Sequence, residues 1–408
     1  MSLRATSDRV AITGLGLLSS LGDDPNRFFE ALLAGESGLG PLALFPRPEG
    51  TSESIRVGEV RAFEPERYLG ERNLRPLDRT SRLLCSAAAR ALDDAALGNE
   101  ARVGLDVGLV VGTTYCSLRT IAEFDRRGQK LGPGYASPLD FSNSVINAAA
   151  GQAAIWFGLT GVNATIASGE ASGLQAIAYA ADLIASGQAD AIVAGGAEEL
   201  APESYLAYAR AGRVGAERPV PFDAQRDGFA PAEGAAFVVL ERESAALARG
   251  ARIHGFVVGH GTASGEGCVE RAVRVALSDA HASAETLDFV MSGANGSVGD
   301  SSEARGLARA LNDHRDLPVA AIKAQLGEAL GASGAFQVLA ALGSFVRREI
   351  PGVLGLSALE EGFPLAGVSA ERRPLSLNGH GSHALVTALA ADGPAVALVL
   401  ESLEGPRS

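Results

Sequence analysis

Apolar residues recur along this chain in two alternating patterns: short unbroken runs, and longer stretches with helical spacing. Residues 10–21, 103–114, 163–166, 191–194 and the end of 219–240 read as strands, and several are too apolar throughout to leave one face in water. Between them, 26–34, 79–97, 141–157 and 172–184 carry the helical period. In 79–97 it gathers Leu83, Leu84, Ala87, Ala88, Ala91, Leu92 and Ala95 on one side. Residues 41–69 are rich in Pro, Gly and charge and form a surface excursion, and 116–140 is a mixed segment.

From about residue 253 the outline repeats. Strands at 253, 289–291 and 319–322 alternate with helices at 268–282, 303–311 and 334–347, and final strands fall near 374–377, 384–388 and 396–401. Such alternation predicts an α/β fold of parallel strand pairs with helices on both faces. Two similar halves, 1–252 and 253–408, suggest five layers, α-β-α-β-α. The stretch 172–184, almost free of charge, suits the buried middle layer.

Composition narrows the function. A formal charge of −13 argues against a broad face for nucleic acid. Cys85, Cys116 and Cys268 show no CxxC or Cys/His spacing, so they read as buried free thiols of a reducing compartment, and a cytoplasmic location is expected. No run of about 18 apolar residues suggests a membrane span. The glycine pairs lack a phosphate-loop pattern, so no nucleotide cofactor is expected.

The centre of the chain is 163–196, NATIASGEASGLQAIAYAADLIASGQADAIVAGG. A short strand turns sharply through Ser168-Gly169-Glu170-Ala171-Ser172-Gly173 into a helix. This is how a strand-to-helix elbow presents a catalytic side chain, and the side chain presented is Glu170.

The ordered segments VAITGLGLLSSLG, Leu77-Asp78-Arg79 with its helix, and VPFDAQRDGFAPAEGAAFVVLE at 220–241 resemble the β-ketoacyl synthase family, the thiolase-fold condensing enzymes of fatty acid and polyketide synthesis. The resemblance covers almost the whole length. It implies the thiolase-like five-layered fold, a dimer joined through the strand beside the elbow, and an acyl carrier protein with its acyl chain as partners. It implies no metal and no cofactor.

Condensation in that family uses a cysteine to carry the acyl chain as a thioester and two histidines to stabilise the enolate of the malonyl unit. The resemblance puts Glu170 at the cysteine position. The first histidine corresponds to Asn295, counted from Ala294-Asn295-Gly296-Ser297, or to Ser292, counted back from Asp300. The second corresponds to Glu328, in a pattern that keeps Lys323, Gly327, Gly331, Ala332 and Gly334. Glu303 and Lys323 are retained positions read as an ion pair. The family's carboxy-terminal glycine loop is matched to 376–383, which makes Gly379, His380 and His383 candidate substrate-binding residues.

A scaffold with all three reacting side chains replaced suggests a subunit unable to condense alone, resembling a chain-length factor beside an active ketosynthase. Two alternatives stand with it. One is a malonyl-carrier decarboxylase or other acyl-transfer or hydrolytic catalyst using Glu170 and Glu328, whose shared pocket would raise one carboxyl pKa. The other is a non-catalytic binder of acyl chains or acyl carriers.

Overall fold

Strand Gly234–Arg242 shows why the sheet is dry on both sides. Ala236, Val238 and Leu240 enter one apolar cluster, while Ala235, Phe237 and Val239 enter another, following the two-residue period of a strand. The structure is a computed structural model and describes residues 8–215, 219–312, 314, 316–376 and 382–403.

The first half supplies β1 (Val10–Leu18), β2 (Val107–Gly112), β3 (Asn163–Ile166), β4 (Ala191–Glu198) and β5 (Gly234–Arg242). The second supplies β6 (Gly255–Ala263), β7 (Leu287–Met291), β8 (Val319–Ala320), β9 (His383–Leu389) and β10 (Ala395–Glu401). The helices are α1 (Pro25–Leu33), α2 (Arg79–Asp94), α3 (Leu118–Leu131), α4 (Ala148–Phe157), α5 (Ser172–Ala185), α6 (Pro202–Arg210), α7 (Cys268–Asp279), α8 (Gly299–Ala310) and α9 (Ser333–Arg347), with shorter turns between them.

The sheet order is β8-β7-β9-β10-β6-β1-β5-β4-β2-β3. Each half thus repeats one order, third, second, fourth, fifth, first, and the fifth strand of each runs antiparallel to its neighbours. The halves join where Val10–Ile12 of β1 pairs antiparallel with β6. Helices α5 and α9 lie in the central cluster, in contact with the inner faces of both halves. Helices α2 and α4 cover the outer face of the first half, and α7 and α8 that of the second. This is the five-layered thiolase-like arrangement expected from the sequence. One stretch among the described residues, Leu330–Arg347, is apolar and long enough to cross a membrane, but 83% of it is buried here as the core helix α9.

Local chemistry fixes the elements near the centre. Asp78 caps α2 by accepting the Ser81 N–H at 2.9 Å, and Arg79 then reaches the buried Glu233 carboxylate. At the elbow Gly169 has φ +56°, a conformation that glycine adopts without strain. A Cβ on Gly173 would lie 2.4 Å from the Gly331 carbonyl oxygen, so the start of α5 can nest against the segment before α9 only through glycine.

Three elements differ from the expected ones. The mixed segment 116–140 contains the full helix α3, a surface helix whose apolar residues Leu118, Ile121 and Phe124 are half-buried and none fully buried. The expected strand at 374–377 is only Arg373–Pro374, paired with Glu349–Ile350 outside the main sheet. Helix α6 was not expected at all, since Pro202 opens it immediately after a strand end.

Candidate functional site

Glu170 sits on the wall of a cavity of about 950 Å³ that lies where the C-terminal ends of β7 and β9 meet the elbow. The side chain is buried, with 6% of its surface exposed. One carboxylate oxygen accepts Arg213 Nη2 at 3.0 Å, and the other accepts the Ala391 N–H at 3.1 Å. Arg213 follows α6 and is held over two rings, 5.1 Å from the centroid of Tyr208 and 5.6 Å from that of Phe229. The Tyr208 hydroxyl is 2.9 Å from that of Tyr115. Burial, the Tyr115 bond and the Glu170 charge push its pKa well above the usual tyrosine range.

Behind the cavity lies a second, fully bonded carboxylate. Glu328 Oε2 accepts Asn295 Nδ2 and Lys323 Nζ, each at 2.8 Å, and Oε1 accepts the Leu330 N–H at 2.9 Å and Ser333 Oγ at 2.5 Å. The same lysine donates to the Gly293 carbonyl at 2.8 Å. Asn295 Oδ1 accepts the Ser297 N–H at 3.1 Å. Asp300 organises the loop by accepting the N–H groups of Phe222, Asn295 and Gly296, and burial pushes its pKa up to about 6.

Of the sequence candidates, Glu170, Asn295 and Glu303 line the cavity. Glu328 and Lys323 do not; Asn295 stands between them and the opening. The expected meeting of Glu170 and Glu328 in one pocket is therefore corrected, because each carboxylate is matched to its own cation. The expected Lys323–Glu303 ion pair is likewise replaced by Lys323–Glu328. Glu303 is instead held by the Ser292 and Thr387 hydroxyls and the Gly293 N–H, and burial raises its pKa. Ser292 is turned toward Glu303, whereas Asn295 faces Glu328, so Asn295 is the residue of this loop on the cavity wall.

Residues 377–381 of the expected carboxy-terminal glycine loop lie outside the described residues. His383 opens β9 near Glu401 and Asp288, and Ala390 lies seven residues further on, about 23 Å at the rise of a strand. Among the described residues, a turn between β9 and β10 borders Glu170 and contributes Ala390, Ala391 and Gly393 to the cavity. Its signal was present as Asp392-Gly393-Pro394 between two apolar runs, a hairpin signature. Gly379 and His380 lie outside the described residues.

Sequence reasoning missed Arg213, which has no local pattern beyond flanking glycines, and Glu198. Glu198, at the end of β4, accepts the N–H groups of Thr114, Tyr115 and Gly331 and the Thr113 hydroxyl, tying the β2 end to the segment before α9. Burial pushes its pKa up to about 7, and that of Glu199 up to about 8. The three cysteines are free and buried, and Cys268 lies on the cavity wall.

The duplicated half-sheets around two buried helices, with the elbow at the head of one, define a thiolase-fold protein of the condensing-enzyme type. The family patterns described as "Beta-ketoacyl synthase, N-terminal domain" and "Beta-ketoacyl synthase, C-terminal domain" match residues 7–246 and 248–357. The chain belongs to the β-ketoacyl synthase family. It is 32% identical over 380 residues to the 3-oxoacyl-[acyl-carrier-protein] synthase 2 of Vibrio cholerae, covering 87% of this chain and 90% of the relative. Among solved structures it resembles the ishigamide ketosynthase/chain length factor, with TM-score 0.91 and 26% identity. A β-ketoacyl synthase from Burkholderia phymatum gives TM-score 0.88 and 26% identity. Each match covers 97% of this chain and 100% of the other.

Proposed function

We propose that this chain is a ketosynthase-like subunit of fatty acid or polyketide synthesis that does not condense by itself and shapes the acyl tunnel of an active ketosynthase with which it dimerises. The observation that carries this reading is the bonding of Glu328: four donors saturate its two oxygens, and one of them is the Asn295 amide. Glu328 accepts all four of these bonds beside the Lys323 cation and so supplies no proton to an enolate oxygen, and the Asn295 amide spends one of its two N–H donors on it. Glu170, closed by Arg213, is neither a thiol nor free to act as one.

A catalyst using Glu170 and Glu328 as a pair has less support, because only Glu170 reaches the cavity. The cavity itself is compatible with an acyl or carrier-borne group at the site.

A partner surface is suggested by exposure. Of the fifteen large hydrophobic residues exposed among those described, seven fall between Leu131 and Ile155, too dense a run for chance scatter. Next to it, β3 is the sheet's edge strand, and Thr165 Oγ1 and the Gln175 amide oxygen are buried without partners. These features suit a two-fold dimer face, with a second copy or with an active ketosynthase.

The test is intact-mass and turnover measurement with malonyl- and acyl-loaded carrier proteins, for the protein alone and beside a cysteine-bearing ketosynthase. No acylation and no malonyl loss alone, with altered product length in the pair, is the expected result. Malonyl loss by the isolated protein, abolished in Glu170→Ala, would overturn it in favour of a decarboxylase.

A further inference from the structure

The two donors on Glu170 are held in place by bonds that do not involve it. Arg213 gives its N–H to the Tyr208 carbonyl and accepts the Phe229 N–H, each at 3.0 Å, and the next residue, Val214, bridges to Phe229. Its guanidinium rests on the rings of Tyr208 and Phe229, which themselves meet edge to face at 5.3 Å. A Cβ on Gly228, at φ +136°, would lie 2.5 Å from the Arg213 carbonyl oxygen, so only glycine fits beside that loop. The second donor, the Ala391 N–H, sits in the turn between β9 and β10. That turn is closed by the Ala390 N–H on the Pro394 carbonyl at 2.8 Å and the Gly393 N–H on the Ala390 carbonyl at 3.0 Å.

Two turns far apart in the chain thus bring a cation and a backbone dipole together on the cavity wall. Arg213, Ala391 and Glu170 all line the cavity, and the Arg213 side chain keeps 31% of its surface exposed. The carboxylate between the donors belongs to the chain itself and is delivered by the turn at Gly169. A Cβ on Gly169 would lie 3.3 Å from Asp392 Oδ1, so a second, exposed carboxylate stands near the elbow. Against that repulsion the tether matters, because it holds the Glu170 carboxylate at a high effective concentration beside its donors.

We infer that Glu170 is an intramolecular ligand: the scaffold presents a carboxylate-binding site at the elbow, built by Arg213 and the Ala391 N–H, and Glu170 keeps it filled. The contact is autoinhibitory. An acyl unit carrying its own carboxylate, such as a malonyl group, finds the guanidinium already matched and a like charge beside it. This deepens the reading above, on which it rests for the identity of the acyl unit kept out.

Glu170→Ala empties the site and removes the elements of acetate, so sodium acetate is the probe. Titration calorimetry of the full chain should show no acetate binding to the parent and one acetate per chain in Glu170→Ala. Binding should weaken by about tenfold or more when Arg213→Ala is added, and acetamide, of the same shape without the charge, should bind Glu170→Ala about tenfold more weakly than acetate. At about ten times its dissociation constant, acetate should raise the thermal midpoint of Glu170→Ala by about 2 °C over sodium chloride of equal ionic strength. Should circular dichroism show Glu170→Ala unfolded, Glu170→Ser is read in the same way. Equal acetate binding by the parent, none in the folded variant, undiminished binding without Arg213, or equal binding of acetamide would each overturn the inference. No carrier protein or partner subunit takes part, so a failure here is distinguishable from a failure of the subunit reading.

Discussion

Arg213 closes on Glu170 at 3.0 Å across the position where the elbow faces the cavity, and nothing local in the sequence links the two residues, 43 positions apart. The pair offsets the burial of a carboxylate that keeps one other donor among the described residues, the Ala391 N–H. Arg213→Ala leaves that carboxylate buried without its cation and should cost about 1–3 kcal/mol in urea unfolding. Glu170→Gln keeps the shape and one acceptor and should cost less. The double variant should recover part of the Arg213→Ala loss, and strictly additive losses would mean that the two side chains do not interact.

The Lys323–Glu328 pair is more deeply buried, with 4% and 0% of the side chains exposed. Lys323→Met removes the cation and leaves the Glu328 charge supported only by dipoles. A loss of about 3–5 kcal/mol is expected, larger than for Arg213→Ala because less water can reach the site. Lys323→Met with Glu328→Gln should be more stable than Lys323→Met alone, as read by urea unfolding midpoints.

How much of this was legible in the sequence depended on whether the governing interaction was local. Strands buried on both faces, such as β5, betray themselves by apolar runs. The elbow is legible because Gly169 and Gly173 are required by a backbone turn and a close approach. Helix α3 escaped because it lies on the surface with few apolar residues among many charges, so its composition looks like that of a loop. The turn beside Glu170 was not singled out, although Asp392-Gly393-Pro394 between two apolar runs marks the hairpin that returns β10 against β9. The cation on Glu170 depends on tertiary placement, which no residue spacing encodes, whereas Lys323 and Glu328 stand only five positions apart.

Glu198 and Glu199 make stability depend on pH. Burial raises their folded pKa values to about 7 and about 8 from the usual 4.5, so the folded state holds these protons more tightly than the unfolded chain. Their contribution is fully present below about pH 4.5 and is lost as pH rises through 7 and 8. Asp300, raised to about 6, acts in the same direction. Urea midpoints should therefore fall between pH 5 and pH 8.5, and the slope should be shallower in Glu199→Gln, which removes the titration and keeps an acceptor for the Arg119 N–H. An unchanged slope in that variant would show that Glu199 does not titrate there.

The exposed run from Leu131 to Ile155 gives the assembly prediction. Ile155 on α4 is 79% exposed and Phe141 is 64% exposed, and the Asn163 side chain of β3 donates to the Ala150 carbonyl of α4, so the helix and the edge strand form one surface. A charge there costs the isolated chain little, because neither side chain is part of its core. Across a buried dimer face the same charge would be desolvated without a partner. Ile155→Glu should therefore leave the thermal midpoint of a dilute monomer nearly unchanged and weaken association by tenfold or more, measured by sedimentation velocity alone and with an active ketosynthase. Thr165→Pro in β3 should act similarly, since proline removes an edge N–H and stiffens the strand that the partner must meet. If both variants assemble as the parent does, the dimer face lies elsewhere on the molecule, and the apolar run needs another occupant.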